Sequence, residues 1–261
     1  MAEAARRIDV LRIGPRFTAA DVEALNARFA NVPTIAMLRA VLREGLAGDV
    51  AAVSSFGAES AVLLHLIATI DRSVPVLFLD TGKHFAETLA YRDTVMKRLG
   101  MANLVNLTPS PEALAEGDAT GLRWSYDPDG CCEIRKVAPL AAALTHFDAS
   151  FTGRKGFQSA TRSGLQTFEL DQTDPLGRLK INPLATWSSD QVSAYFQATG
   201  LPPHPLVAQG YPSIGCSPCT SKVAPGEDPR SGRWKGWDKT ECGIHVDGAA
   251  SPLPPGYDPA F

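Results

Sequence analysis

The five cysteines of this 261-residue chain divide into two groups by position. Cys131 and Cys132 are adjacent, Cys216 and Cys219 form a Cys-x-x-Cys pair, and Cys242 stands alone near the C-terminus. Clustered cysteines are typical of metal centres in a reducing compartment, whereas a solitary thiol can serve as a nucleophile. The spacing therefore predicts a metal site built from four thiolates and a separate reactive cysteine.

Four thiolates can hold either a zinc ion or an iron–sulfur cluster. Neighbouring residues on a helix point about 100° apart, so Cys131 and Cys132 are poorly placed to bind one ion together. A cubane cluster presents several irons at separate corners, which relaxes this constraint. The residues alone therefore favour a [4Fe–4S] cluster and leave zinc open. The predicted metal ligands are Cys131, Cys132, Cys216 and Cys219.

Cys242 lies between Glu241 and a short glycine-containing stretch that ends at His245. A thiol with an ordinary pKa of about 8.5 needs positive surroundings to be a thiolate at neutral pH. Arg230 and Arg233, together with two nearby lysines, could provide that charge. The alternative interpretation is an unreactive cysteine in a C-terminal segment.

A serine-rich loop connects the first predicted strand to the helix that follows it. Backbone N–H groups at a helix start are unpaired and carry partial positive charge, which suits a phosphate or sulfate group. The loop is neither a Walker A sequence nor a G-x-G-x-x-G fingerprint, so an ordinary serine-rich turn is the alternative. Its candidate ligand-binding residues are Ser54, Ser55, Phe56, Gly57 and Ser60.

Two further segments combine positive charge with glycine and aromatic residues. The first contains Gly153, Arg154 and Arg162, and the second contains Arg230 and Arg233 beside two tryptophans. Arginine side chains match the oxygen geometry of phosphate and sulfate, and an aromatic face can cover a base. The segments predict an anion site, with a solvated basic surface as the alternative.

The composition excludes several classes of protein. A net charge of -3 argues against a nonspecific nucleic-acid binder. The first residues do not resemble a signal peptide, and the longest apolar run, at 61–70, is far shorter than the roughly 20 residues of a membrane helix. We therefore expect a soluble, cytoplasmic protein that binds neither membrane nor nucleic acid, in which clustered cysteines are metal sites rather than disulfides.

Alternating apolar runs predict a doubly wound α/β fold with a mostly parallel sheet flanked by helices. Ligands in such sheets bind beyond the carboxyl ends of the strands, so Leu79 should lie beside the serine-rich loop. Pro139 should bend or split the helix that begins at Cys132. Strands are expected at 50–54, 74–79, 104–107, 149–152 and 180–182, and helices at 19–29, 34–44, 59–70, 84–99, 132–145 and 190–199.

Three regions follow from the pattern along the chain. Residues 1–44 form a helical N-terminal segment, and residues 45–224 form an α/β domain that carries the predicted anion site and metal site. Residues 225–261 are rich in glycine and proline and predict a flexible tail. Because this tail carries Cys242, we expect it to take part in the chemistry. The oligomeric state is left open, and a homo-oligomer stays among the options.

The loop at 54–60 and the segment at 79–88 resemble motifs of the adenine-nucleotide α-hydrolase, or PP-loop, fold, and within it those of the sulfonucleotide reductases. The complete set of four cysteines resembles the branch of that family that carries a [4Fe–4S] cluster and uses adenosine 5′-phosphosulfate. The Glu-Cys-Gly-Ile-His string around Cys242 resembles the family's catalytic tail. The resemblance spans about residues 45–247, with small departures at Lys83 and Lys235.

The resemblance implies an enzyme of sulfate assimilation that reduces adenosine 5′-phosphosulfate to sulfite and AMP through an S-sulfocysteine on Cys242. Thioredoxin or glutaredoxin would be the reductant, and Lys136 would lie between the cluster and the substrate. The expected substrate-binding residues are Ser54, Ser55, Phe56, Gly57, Ser60, Leu79, Lys136, Gly153, Arg154, Arg162, Arg230, Arg233 and His245.

Three alternatives stay open. The first is a reductase of the 3′-phosphorylated nucleotide, or one that accepts both nucleotides. The second is an ATP pyrophosphatase of the same fold, which Phe56 and Glu59 argue against because they replace a glycine and an aspartate of its loop. The third is a non-enzymatic iron–sulfur or zinc binding module, which would leave Cys242 without a role.

Overall fold

The structure, a computed structural model, is described for residues 16–159, 162–172 and 174–244. In these ranges the strands are β1 (Val50–Val53), β2 (Val76–Leu79), β3 (Leu104–Leu107), β4 (Ala149–Phe151), β5 (Phe168–Leu170) and β6 (Leu179–Ile181). They form one six-stranded sheet in the order β3-β2-β1-β4-β6-β5. Every neighbouring pair is parallel except β5 and β6, which confirms the predicted, mostly parallel sheet.

Local capping signals mark several ends of the described α-helices. Thr18 and Ser188 form capping boxes, and Gly100 and Gly200 adopt the left-handed conformation at helix C-caps. These caps explain why the predicted ends of those helices lie within about two residues of the observed ends. The helices are α1 (Ala19–Phe29), α2 (Thr34–Arg43), α3 (Ser60–Ala68), α4 (Ala86–Leu99), α5 (Pro111–Gly117), α6 (Pro128–Cys132), α7 (Ala138–Leu144) and α8 (Ser189–Thr199).

Helices cover both faces of the sheet, because alternate strand residues point to opposite sides. Ala52 and Phe78 pack into a core shared with α2, α3, α4 and α8, whereas Ala51 and Leu77 pack into a second cluster with α7. Burial in the larger core accounts for the apolar run of α3. None of the described helices is long and apolar enough to cross a membrane.

The antiparallel edge strand β5 was not among the predicted strands. Helix α1 protects this edge through Asn26, whose Nδ2 donates to the Phe168 carbonyl at 2.8 Å and whose Oδ1 accepts from the Phe168 N–H at 3.0 Å. The rings of Phe29 and Phe168 lie 5.6 Å apart. The described part of the N-terminal segment is thus built onto the sheet.

The helix predicted to begin at Cys132 begins earlier, because Pro128 and the Asp127 cap already start α6. A π-helical turn at Glu133–Val137 joins α6 to α7. Pro139 follows this turn and cannot donate a backbone hydrogen bond. The bend or split that was predicted for this helix is therefore a π-helical turn, and the chain stays helical from α6 to α7.

The segment after Pro225 folds back over the Cys-x-x-Cys pair. The Ser221 N–H donates to the Gly232 carbonyl at 2.8 Å, and the Trp234 N–H donates to the Cys219 carbonyl at 3.1 Å. Trp234 is buried, and Lys239 pairs with Asp129 on α6. Long-range contacts therefore hold this part of the tail as far as it is described, while its flexibility and the three-region division stay predictions.

Candidate active site

A cavity of about 550 Å³ lies at the carboxyl edge of the sheet. The loops after β1, β2 and β4, the Cys-x-x-Cys segment and the C-terminal segment form its walls. Open α/β sheets bind their ligands at this position. Among the residues singled out in the sequence, those that line it are Ser54, Ser55, Gly57, Ser60, Leu79, Lys136, Gly153, Arg154, Arg162, Cys216, Arg230, Arg233 and Cys242.

The serine-rich loop is anchored by Phe56, whose backbone is left-handed with φ of 48°. This conformation costs about 1–2 kcal/mol, and full burial of the ring against Phe78 offsets it by about 2 kcal/mol. The Phe56 N–H donates to Ser54 Oγ at 3.2 Å, and Ser60 Oγ donates to the Gly57 carbonyl at 2.8 Å. The side chain of Phe56 is therefore a core anchor rather than part of the cavity wall.

Arg154 is held in the cavity wall by polar groups within β5 and directly after β4 and β6. Its Nη2 donates to Glu169 Oε2 at 2.5 Å. The same carboxylate oxygen accepts from Asn182 Nδ2 at 2.9 Å, and Asn182 Oδ1 accepts from Thr152 Oγ1 at 2.5 Å. The network orients the guanidinium and partly balances its charge.

Lys155 lines the cavity but was not among the predicted binding residues. Its side chain is 3% exposed, and Nζ lies 2.9 Å from Glu59 Oε2. Burial lowers the pKa of Lys155, although Glu59 acts to raise it. Gln158 Nε2 also donates to the Glu59 carboxylate, at 3.3 Å. Glu59 therefore ties the start of α3 to the loop after β4.

Glu241, the neighbour of Cys242, is bound by two of the predicted anion-binding arginines. Arg162 donates from Nε to Oε1 and from Nη2 to Oε2, both at 2.8 Å. Arg230 Nη2 lies 3.4 Å from Oε2 and donates to the Thr240 carbonyl at 2.6 Å. These two arginines hold a carboxylate of the chain itself, a contact that sequence spacing did not indicate.

Arg233 reaches the cavity across Gly215. Its guanidinium lies 4.5 Å from the centre of the Trp234 ring, a distance typical of a cation–π contact. Among the described residues, its buried Nε has no hydrogen-bond partner. Arg233 therefore carries a positive charge and an unused donor at the wall of the cavity.

Lys136 lies beside sulfur atoms of both cysteine groups. Burial acts to lower the pKa of Lys136, but Cys216, Cys242 and Cys132 outweigh it, so its pKa lies above the ordinary value. Burial acts to raise the pKa of Cys216, but Lys136 and a contact at 3.3 Å from Thr81 Oγ1 lower it overall. Lys136 is therefore a charged group shared by the cavity and the cysteine cluster.

The four clustered cysteines meet from two distant segments. Cys131 and Cys132 lie in α6, whereas Cys216 and Cys219 lie at the turn Ser217–Cys219. Cys216 interacts electrostatically with each of the other three thiols, and burial raises the pKa of Cys132 to about 11. In the part of the chain that is described, no three potential ligands are grouped as a single metal ion would require. Four convergent thiols are the donor set of an iron–sulfur cluster, so the residues fit such a group.

A buried ion pair positions the segment that carries Cys131 and Cys132. Arg135 donates to Asp118 Oδ2 from Nε at 3.1 Å and from Nη2 at 2.7 Å, and its Nη1 donates to the Thr81 carbonyl at 2.8 Å. Burial acts to raise the pKa of Asp118, but hydrogen bonds from the Arg123 N–H and from Arg135 lower it overall. The pair was not predicted, because two charges that are 17 positions apart in sequence show no local pattern.

Cys242 lines the cavity and is partly exposed. Nearby residues on either side of it, Glu241 and Ile244, are both held by contacts with other parts of the structure. Glu241 is bound by the arginines, and Ile244 packs against the apolar cluster that contains Leu79 and Leu140. His245, an expected substrate contact, lies outside the described residues.

Comparison with known proteins shows which family has a similar sequence. The family model described as the phosphoadenosine phosphosulfate reductase domain matches residues 49–222. A Mesorhizobium japonicum protein named adenosine 5′-phosphosulfate reductase is 50% identical over 230 residues, which cover 88% of this chain and 89% of that protein. A Chelativorans protein of the same name is 50% identical over 237 residues, which cover 90% of this chain and 95% of that protein.

Solved structures with the same fold support this comparison. Phosphoadenylyl-sulfate (PAPS) reductase from Candida auris, in a phosphate complex, has a TM-score of 0.65 and 26% identity, covering 81% of this chain and all of that one. FMN adenylyltransferase from Candida glabrata has a TM-score of 0.50 and 14% identity, covering 84% of this chain and 81% of that one. The second likeness concerns the fold alone.

Proposed function

This chain belongs to the phosphoadenosine phosphosulfate reductase domain family, and we propose that it reduces adenosine 5′-phosphosulfate to sulfite and AMP. Two relatives at 50% identity are named for that nucleotide. The observation that carries the proposal is that Cys242 lines one cavity with the serine-rich loop and with Lys136 and Arg233. A nucleophile, a phosphate loop and two cations are thus available to one ligand.

The nucleotide would lie along the carboxyl edge of the sheet. Its adenosine would contact the end of β2 at Leu79, and its phosphate would face Ser54, Ser55 and the N-terminus of α3. The sulfate would point toward Lys136 and Arg233, neither of which forms an ion pair with a carboxylate within the described ranges. These cations would stabilise the charge that develops on the oxygens during transfer.

In the proposed first step, the Cys242 thiolate attacks the sulfate sulfur atom. An S–S bond forms, the bond between sulfur and the bridging phosphate oxygen breaks, and AMP leaves with the electron pair. Cys242 then carries a sulfonate group. Lys136 interacts electrostatically with the Cys242 sulfur and would place a positive charge beside the group that is transferred.

In the proposed second step, a dithiol protein such as thioredoxin or glutaredoxin attacks the Cys242 sulfur atom. Sulfite leaves with the electrons of the S–S bond, and a mixed disulfide forms between Cys242 and the reductant. The second thiol of the reductant then releases Cys242 as a thiolate and closes its own disulfide. The reductant thus supplies the two electrons that sulfite formation requires.

We propose further that Cys131, Cys132, Cys216 and Cys219 hold a [4Fe–4S] cluster. When bound, the cluster would join α6 to the Cys-x-x-Cys turn and add its electrostatic field to that side of the cavity. Cys216 contacts both Thr81 and Lys136, so the ligand set lies next to a cation of the cavity.

The test is the intact mass of the protein after anaerobic incubation with adenosine 5′-phosphosulfate and no reductant. We expect a gain of one sulfonate, which is absent in Cys242→Ser and lost when reduced thioredoxin is added. A gain only with the 3′-phosphorylated nucleotide would replace the proposed substrate. The absence of an adduct with either nucleotide would refute the proposed chemistry.

A further inference from the structure

We propose that Glu241 is a positioning residue that holds Cys242 in the cavity through its two-pronged ion pair with Arg162. This inference rests on the proposed function, because it assumes that Cys242 is the nucleophile. It concerns how the C-terminal segment stays closed over the cavity, and it gives the carboxylate next to Cys242 a defined role.

The geometry of the pair is that of a firm anchor. Two parallel N–H···O bonds of 2.8 Å join Arg162 to Glu241, and both side chains are mostly buried, at 11% and 14% exposure. Such bidentate pairs fix direction as well as distance. Arg162 is itself braced, because its Nη1 donates to Gln158 Oε1 at 2.5 Å. The anchor is therefore connected to the loop after β4.

A second anchor lies two residues beyond Cys242. Ile244 packs against the apolar cluster that contains Leu79 and Leu140. Gly243, which connects Cys242 to Ile244, has a left-handed backbone with φ of 87°. Cys242 thus lies between an ionic anchor and an apolar anchor, which restricts the path of its backbone on both sides.

The pair also distinguishes two cations of the cavity from two others. Arg162 and Arg230 are engaged by Glu241, whereas Lys136 and Arg233 form no ion pair with a carboxylate in the described residues. Arg162 and Arg230 therefore hold the C-terminal segment over the cavity, and Lys136 and Arg233 stay available to bind the substrate anion.

The test compares Glu241→Gln with wild type by two measurements. The substituted amide keeps the shape of the side chain but loses one of the two charged hydrogen bonds, so we expect the rate of sulfonation at saturating nucleotide to fall about tenfold. KM should change less than the rate, because the substrate cations are untouched. Asp238→Asn is the matched control, since Asp238 is an exposed carboxylate of the same segment.

The second measurement does not depend on turnover. Alkylation of Cys242 without nucleotide, taken at its pH-independent limit, should be several-fold faster in Glu241→Gln, because the segment opens more often. Arg162→Lys should behave in the same way, since it keeps the charge but not the fork. The paired variant Glu241→Arg with Arg162→Glu should restore part of the protection.

Unchanged sulfonation and unchanged alkylation in Glu241→Gln would overturn the inference. Faster sulfonation together with tighter AMP binding would also overturn it, because Glu241 would then be a competitor of the substrate anion. If wild type forms no adduct with either nucleotide, the proposed function fails, while the alkylation rates still report whether the ion pair closes the segment.

Discussion

A Cβ atom at Gly215 would lie 2.1 Å from Nη2 of Arg233, so the guanidinium occupies the space that a side chain at position 215 would need. The absence of a side chain at Gly215 is therefore what lets Arg233 reach the cavity. The obstructed atom is the far end of a flexible side chain, so a larger residue would move Arg233 rather than unfold the protein.

The first prediction follows from this contact. Gly215→Ala should displace Arg233 and weaken substrate binding by about tenfold or more, the value of a charge-assisted hydrogen bond. KM should rise, while the melting temperature should stay within a few degrees of wild type. Gly164→Ala is the control, because a Cβ at Gly164 meets no other atom within 4 Å. An unchanged KM would show that Arg233 does not contact the substrate.

The second prediction concerns the cysteine cluster. Protein purified without oxygen should contain about four iron and four acid-labile sulfide per chain, and Cys219→Ser should lose most of both. Cys242→Ser should keep them, because Cys242 is assigned to the chemistry rather than to the cluster. Zinc in place of iron and sulfide, or equal iron content in both variants, would contradict the assignment.

The third prediction concerns the buried pair of Lys155 and Glu59. Glu59→Ala leaves a buried cation without its partner and should lower the free energy of unfolding by about 2 kcal/mol, or about 5 °C in melting temperature. Adding Lys155→Met should recover part of this loss, because the charge that needs a partner is gone. Glu23→Ala, on the exposed face of α1, is the control.

The fourth prediction is a pH dependence of stability from His204. Burial lowers the pKa of His204 to about 4, and its Nδ1 accepts a hydrogen bond from the Leu206 N–H at 3.2 Å. Protonation of Nδ1 would break that bond. The unfolded chain therefore binds the proton more tightly, and stability should fall as pH drops from about 6.5 to about 4, by up to about 1.4 kcal/mol per unit.

Urea unfolding at several pH values within that window tests the contribution of His204. His204→Asn should be less stable at pH 7, since two hydrogen bonds are disturbed, but its stability should depend less steeply on pH. His146→Gln, at an exposed position, should keep the wild-type slope. Parallel curves for wild type and His204→Asn would contradict the prediction.

Local signals in the sequence predicted most of the fold. Helices whose ends are marked by Thr18, Ser188, Gly100 or Gly200 were predicted to within about two residues, because each cap depends on a few consecutive residues. Strand β5 was missed because its three residues are stabilised as a strand by long-range contacts with β6 and helix α1, which the local sequence does not show.

The candidate site divides in the same way. The sequence by itself determined which groups are present: a serine-rich loop at a helix start, four clustered thiols, a solitary Cys242 and several arginines. Only the tertiary structure decided which of these groups come into contact. Arg162 and Glu241 are 79 positions apart in sequence, and they meet only because the folded sheet brings the loop after β4 and the C-terminal segment to the same edge. An ion pair such as that of Lys155 with Glu59 depends on how deeply the two side chains are buried and on the directions in which they point. The spacing of the residues along the chain carries no information on either property.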